Sequence, residues 1–338
     1  MAMNSFGLLD DGRSVEAITL GDPAGLQVEV LTYGAILRRL SYPVRGVRRD
    51  LILHFDRLDE YVRDCAYVGS LVGRFGNRIA NASFKLNDQQ HRVTANEGVN
   101  HLHGGALGFG KRLWRVLDVT GRDDPRVLLG LDSPAGEEGY PGKLTATVEL
   151  KVARDSLGIT FGAYADAPTP VNLTYHPYFN LAADFTTPAT SQRLRIPAAH
   201  YLPVAAGLIP TGELASVEGT TFDFRRARRL QPPSVQSHPQ LELAGGYDHC
   251  WVLAPDADCA CELSTPNGEI TLTMSGSGPG LQFYNGQFLA RTHPAIGSGI
   301  ILEPQGFPDA VNQPRFPSAI VRPGAPYHAT IEYRLAAA

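Results

Sequence analysis

The sequence contains no apolar run that approaches membrane-spanning length. Its opening residues, Met1-Ala2-Met3-Asn4-Ser5-Phe6-Gly7, have no basic stretch leading into an apolar one, so they do not read as a secretory leader. Neither sign of charge dominates: 30 Lys and Arg stand against 34 Asp and Glu, for a formal net charge of -4. Without a basic field, nucleic acid is not an expected partner, and neither is a membrane. Cysteine is scarce. Cys65, Cys250, Cys259 and Cys261 lack the paired spacing of metal ligands, and Cys259-Ala260-Cys261 puts two thiols on one strand face. Reduced thiols in a cytoplasmic protein are the expectation. Long segments of helical period are missing too.

Turn-forming residues are abundant, with Gly 35 and Pro 25 in 338 residues, and 43% of the chain is hydrophobic. That is enough for a sizeable core interrupted by many turns. Leu144, Ala146, Val148, Leu150 and Val152 alternate with Thr145, Thr147, Glu149 and Lys151, the period of a half-buried strand. Arg154-Asp155-Ser156 turns the chain, and Leu157, Ile159 and Phe161 continue the alternation on an antiparallel partner. Further strands are predicted over Leu26 to Tyr33, Ala35 to Val44, Leu51 to Phe55, Leu281 to Tyr284 and Thr330 to Tyr333. Ser83 to Leu86 and Gln89 to Val93 flank Asn87-Asp88 as a hairpin, and Leu58 to Cys65 is the one early candidate helix. The pattern predicts an all-β fold of packed antiparallel sheets. With no linker and no internal repeat, one domain over residues 1–338 is expected.

Five polar stretches carry candidate chemistry. Glu303 closes the apolar run Ile300-Ile301-Leu302, and Pro304-Gln305-Gly306 after it predicts the end of the strand and the start of a stiff loop. Such a carboxylate is either a fixed base or a surface residue at a turn. Gly73 to Ala80 offers Arg and Asn donors to a polar ligand, or forms a turn with an ion pair. Asn100-His101-Leu102-His103-Gly104-Gly105 puts two histidines on one strand face. That spacing can bind metal, but no carboxylate follows until Asp118, which argues against a metal site. Pro170 to Asn180 is dense in aromatics, amides and hydroxyls around His176, a set suited to sugar faces and hydroxyls or to a capped core histidine. Gly245-Gly246-Tyr247-Asp248-His249 presents Asp248 either to hydroxyls or to a local turn. Gln282 lies within a strand, as a ligand contact or a cross-strand pair. The run Arg225-Arg226-Ala227-Arg228-Arg229 reads as a solvated loop.

Taken in this order, these stretches resemble the aldose 1-epimerase (galactose mutarotase) family. The resemblance runs from Tyr33-Gly34-Ala35 through Gly73 to Ala80, Asn100 to Gly105, Glu138-Gly139-Tyr140-Pro141-Gly142, Asn172 to Asn180, Tyr247-Asp248-His249 and Gln282 to Gly286, and closes on Leu302-Glu303 with Pro308 to Pro314. It implies a large, many-stranded antiparallel β-sandwich that interconverts the anomers of free aldoses such as D-galactose and D-glucose. No cofactor and no metal are implied. The partner is a small monosaccharide, and the assembly a monomer or homodimer.

By the same resemblance, Glu303 is the base on O1, ionised near the usual glutamate value of about 4.3. His176 is the acid at O5, working near about 6.5 with a carboxylate favouring its charged form. His103 assists, and Asn77, Arg78, Asp248 and Gln282 contact the sugar. Some positions depart from the family pattern: Gly76 where Ala is common, Tyr175 and Pro177 around His176, and Pro304 after Glu303. Tyr175 is expected to reshape the pocket. The alternatives are a hexose-phosphate 1-epimerase, with Arg225 to Arg229 as the phosphate grip, a glycoside hydrolase pairing Asp248 with Glu303, and a non-catalytic sugar-binding protein of the same fold.

Overall fold

The computed structural model describes residues 2–121, 123–230 and 237–338; Met1, where the opening segment begins, lies outside them. Three antiparallel sheets dominate. A five-stranded meander runs from Ala2–Leu8 to Val47–Asp50. A nine-stranded sheet is centred on Leu144–Val152, Ser156–Ala165, Tyr327–Ala337 and Ile270–Gly276. A six-stranded sheet has the order Tyr178–Phe179, Ile300–Gln305, Gly280–Tyr284, Asp248–Val252, His200–Leu202, Ala215–Ser216. The many-stranded antiparallel sandwich expected from the sequence is what forms.

The period-two pattern explains the layering. Leu144–Val152 pairs with Ser156–Ala165 in unbroken register, from Val152 opposite Leu157 to Leu144 opposite Ala165. The alternate residues Leu144, Ala146, Val148, Leu150, Leu157, Ile159 and Phe161 all enter one core. There they meet Ile18, Leu20, Val28 and Val30 of the meander and Leu281, Phe283, Ile300 and Leu302 of the six-stranded sheet. One face of the nine-stranded sheet therefore backs both smaller sheets. Each such Leu, Ile or Phe removes enough apolar surface from water to stabilise the fold by about 1.5–3 kcal/mol. Because Leu281, Phe283 and Leu302 point inward, Gln282 and Glu303 must point away from that core.

The predicted hairpin is present as Ser83–Leu86 and Gln89–Arg92, with Asn87 and Asp88 both at positive φ, as a two-residue primed turn requires. The helix spans Leu58–Arg63. Two expectations fail. Leu51 to Phe55 is no strand: only Ile52 forms an isolated bridge, to Phe179. And Pro304 does not end its strand, which spans Ile300–Gln305. Pairing with Tyr178–Phe179 stops at Ile301, so at Pro304 only Gly280–Tyr284 is still paired with the strand. The missing N–H of proline is tolerated at such a one-sided position. Glu303 therefore stands within a strand and not at its exit. No helix among the described residues is long and apolar enough to cross a membrane.

Candidate active site

The outer face of the six-stranded sheet forms the floor of the site. Gln282 is the direct cross-strand partner of Glu303 on one side and of Cys250 on the other. Direct partners project from the same face, and so does Asp248, two residues before Cys250. Gln282 Nε2 donates to Asp248 Oδ1 at 2.6 Å. The floor thus presents a row of Asp248, Gln282 and Glu303.

The opposing wall is the short pair Arg78–Ile79 and His101–Leu102, with Leu102 opposite Arg78. The Arg78 guanidinium is buried and reaches the floor. Its Nε and Nη2 donate to the Glu97 carboxylate at 2.7 and 2.8 Å, and its Nη1 to Asp248 Oδ2 at 3.4 Å. Burial opposes its charge, but Asp248 and Glu97 more than offset this and hold it firmly protonated.

His101 and His103 part company at this point. His101 stays in the short strand, where Tyr140 Oη lies 2.6 Å from its Nε2 and the Thr94 carbonyl 2.6 Å from its Nδ1. His103 leaves the strand at φ 51. Its Nδ1 accepts the Asn77 backbone N–H at 3.2 Å, while the His103 backbone N–H donates to the Asn77 carbonyl at 3.1 Å. A ring that accepts at Nδ1 is neutral and carries its proton on Nε2. Burial, with the neighbouring His176 and Arg78, holds its pKa well below the ordinary histidine value. Among the described residues, no group of three or more His, Cys, Asp or Glu is placed to hold a metal ion.

His176 follows Thr174–Tyr175, which pairs with Leu71–Val72, and its backbone N–H donates to the Ser70 carbonyl at 3.0 Å. The ring is edge-on to His103, with centroids 5.2 Å apart, and to Tyr178 at 5.3 Å. Tyr67 packs against both histidines, at 4.7 Å from His103 and 5.9 Å from His176. Its hydroxyl is pushed up to about 12 by burial and by nearby carboxylates, so it stays protonated.

All seven candidates from the sequence, Glu303, His176, His103, Asn77, Arg78, Asp248 and Gln282, line one cavity of about 690 Å³. Several expectations change. Glu303 is only 2% exposed. Burial raises its pKa well above the ordinary glutamate value, Asp248 raises it further, and Arg78 pulls it partly back. Nor does a carboxylate hold His176 charged: burial lowers it to about 4. Glu303 Oε1, Gln282 Oε1 and His176 Nδ1 are buried without a hydrogen-bond partner among the described residues. Tyr175 does not shape the cavity. It alternates inward, joins the main core and donates its hydroxyl to the Ala35 carbonyl at 2.8 Å.

Sequence reasoning missed four supports. Glu97 clamps Arg78. Glu138 accepts the Ala106 and Leu107 N–H groups at 3.2 and 2.7 Å, bracing the turn after His103. Asn172 accepts the Gly306 N–H at 2.8 Å and donates to the Gly76 carbonyl at 3.0 Å, tying the end of the Glu303 strand to the Arg78 loop. Asp309 holds the other side of that loop. Glu138, Asn172 and Asp309 lie within stretches that the sequence pattern marks, but only the fold shows what their side chains reach.

The family model described as aldose 1-epimerase matches residues 16–334. A galactose mutarotase of Bos taurus is 38% identical over 326 residues, covering 93% of this chain and 92% of that protein. An aldose 1-epimerase of Escherichia coli strain K12 is 35% identical over 344 residues, covering 98% of both. Among solved structures, a galactose 1-epimerase from Lactobacillus acidophilus NCFM superposes with a TM-score of 0.88 at 27% identity, covering 99% of this chain and 98% of that one.

Proposed function

The chain belongs to the aldose 1-epimerase family, and from that premise we propose that Glu303 and His176 move the two protons by which it interconverts the α and β anomers of free aldoses such as D-galactose and D-glucose. The observation that carries the assignment is the pairing of one buried carboxyl with one buried imidazole, each with an unpartnered polar atom, in a cavity where Arg78, Asp248 and the Gln282 amide nitrogen are tied to one another.

Opening a cyclic hemiacetal needs a proton taken from O1 and a proton given to O5. The C1–C2 bond then rotates, and O5 attacks the other face of the aldehyde as both transfers reverse. Glu303 takes and returns the O1 proton, and His176 gives and recovers the O5 proton. The two groups thus share one proton throughout. Charged Glu303 with protonated His176 matches the cyclic sugar; neutral Glu303 with neutral His176 matches the open chain. Burial favours the neutral arrangement, so the cavity is biased toward the state reached after ring opening. Sugar hydroxyls that donate to Glu303 shift the balance back. His103, neutral with Nε2–H free to donate, supports O5, while Arg78, Asp248, Asn77 and Gln282 orient the ring.

The alternatives fit less well. Arg225 of the basic run pairs with Asp223, and Arg228 lies over Phe224, so neither reaches the cavity. Of the cations that do line it, Arg78 is taken by two carboxylates and Lys111 donates to the Tyr61 and Val62 carbonyls, which leaves Arg291, exposed and lying over the Phe288 ring, as a single cation for a phosphate dianion. A hydrolase needs two carboxylates flanking a glycosidic bond, but Asp248 lies on the same sheet face as Glu303, with Gln282 between them, and its two oxygens are taken by Arg78 and Gln282. We place the protein in the cytoplasm as one domain, monomeric or homodimeric. Its four free cysteines, three of them buried, suit a reducing compartment.

Polarimetry of freshly dissolved α-D-galactose tests the reading, with Glu303→Gln and His176→Asn beside the wild type. Wild-type acceleration that falls by about 10²–10⁴ in each variant is expected. No acceleration with galactose, glucose, xylose or arabinose removes the activity, and faster turnover of glucose 6-phosphate replaces it with the phosphosugar reaction.

A further inference from the structure

The stretch from Pro308 to Pro314 is, with Asn172 to Asn180, the most specific part of the sequence pattern, yet none of its own side chains lines the cavity. We propose that Asp309 is a positioning residue for the reaction: it fixes the backbone that carries Arg78 relative to the strand that carries Glu303, without touching the sugar. The proposal rests on the reading of Arg78 as a residue that holds the sugar.

The chain leaves Gln305 at the end of the Glu303 strand, passes through Gly306-Phe307-Pro308, and reaches Asp309 at φ 55. The Asp309 backbone N–H there donates to the Arg78 carbonyl at 2.8 Å, and Asp309 Oδ1 accepts the Ala80 N–H at 2.9 Å. Arg78 and Ile79 are bracketed between these two bonds. On their other edge they pair with His101–Leu102, the segment that leads into His103. The loop following the base thus returns to hold the wall that faces it.

A local turn is not enough to explain the side chain. The turn itself is closed by the Asn312 N–H on the Asp309 carbonyl at 2.9 Å. The carboxylate is 1% exposed, and its partners are the Ala80 N–H, Asn312 Nδ2 at 2.7 Å and Gln313 Nε2 at 3.5 Å. All are donors, and none carries a charge. Burial raises the carboxyl pKa and these bonds lower it. A carboxylate accepts from all three at once; an amide cannot, because its own N–H₂ meets another donor. Asp309 thus has a use for both oxygens, and one of them goes to the Arg78 wall 229 positions earlier in the chain.

The test is Asp309→Asn, with Asp309→Ala as a second variant, each in the wild-type and Arg78→Ala backgrounds; Arg78→Lys replaces Arg78→Ala if that background does not fold. Polarimetry gives kcat and KM, and thermal melts give the folded fraction. A shift of the sugar by a fraction of an ångström is costly in such a site. Asp309→Ala, which removes the acceptor of the Ala80 N–H, is therefore expected to lower kcat/KM about tenfold or more when Arg78 is present, and less than about twofold when it is absent, while Asp309→Asn keeps that acceptor, gives up only the Gln313 contact and loses less. An equal cost in both backgrounds, or a lower Tm with kcat/KM per folded molecule unchanged, overturns the proposal alone. If Arg78→Ala leaves kcat/KM unchanged, the sugar-holding reading of Arg78 fails and takes the proposal with it.

Discussion

Glu303 and Gln282 are direct partners across adjacent antiparallel strands, and each keeps one buried oxygen without a hydrogen-bond partner among the described residues. An unsatisfied buried acceptor costs about 1–3 kcal/mol. Both occur on the sheet face that lines the cavity, opposite the well-packed face of Leu281, Phe283 and Leu302. The same two strands therefore hold the sheet together through one face and hold polar groups out of equilibrium with their surroundings on the other.

That conflict predicts a stability gain from removing the proposed base, Glu303. The folded-state pKa of Glu303 is raised by burial, so its ionisation disfavours the fold. Stability is fully present below the unfolded value of about 4.3 and is lost as pH rises through the folded pKa. Glu303→Gln cannot ionise, so it is expected to melt above the wild type at high pH, with the gap closing toward pH 4. Melts of both proteins across pH check this, and a gap that does not change with pH rejects it. Activity is expected to move the other way, since the variant lacks the proposed base.

The rate should be bell-shaped in pH, with unusually wide limbs. The proposed mechanism needs one proton on the Glu303–His176 pair. Below His176's value of about 4 both groups are protonated and the base is lost. Above the raised pKa of Glu303 both are deprotonated and the acid is lost. Initial rates of galactose mutarotation from pH 3 to 10, corrected for the buffer reaction, are expected to fall at both ends and stay flat between. An acid limb near 6.5 would mean that His176 titrates as an ordinary exposed imidazole.

Asp248 separates the two limbs. Its charge raises Glu303, whereas His176 is shifted chiefly by burial. Asp248→Asn is expected to move the alkaline limb to lower pH and leave the acid limb in place. It is also expected to lower kcat/KM at the plateau, because Asp248 lines the cavity proposed to hold the sugar. A parallel movement of both limbs would mean that the pair does not titrate in the assigned order.

The fold was legible where a single residue pattern decides the outcome. Leu144 to Val152 alternates because one face is buried, and the strand lies there. Asn87-Asp88 accepts positive φ at both positions, and the turn lies there. The site candidates were legible through resemblance, which supplied residue types and order. Protonation was not, because it depends on what surrounds each group. Glu303 and His176 lie far apart in the chain, and their shifts come from burial by strands neither belongs to. Tyr175 was misplaced for a related reason: its neighbour His176 faces the cavity, and strand alternation sends Tyr175 the other way. Pro304 was read as a terminator because its missing N–H matters only if a second strand lies beside it, and pairing on that side has already stopped.

His103 depends on the residue after it. Gly104 has φ +87, and a Cβ there would lie 1.8 Å from the Gly73 carbonyl oxygen. Two costs combine in Gly104→Ala: an unfavourable backbone region and a collision with backbone that cannot rotate away. Gly12 separates them. Its φ is +82, but a Cβ there meets nothing within 4 Å. Gly12→Ala is expected to cost about 1 kcal/mol, the strain alone. Gly104→Ala must also push the Gly73 and His103 loops apart, and is expected to cost several times more, about 3 kcal/mol or above. Denaturant titration of both variants measures the difference. Since the displaced loops carry Arg78 and His103, whatever Gly104→Ala folds should also turn over slowly, while Gly12→Ala keeps wild-type kcat/KM. Equal costs at the two glycines would show that the Gly73 backbone yields, and that His103 is not held by this contact.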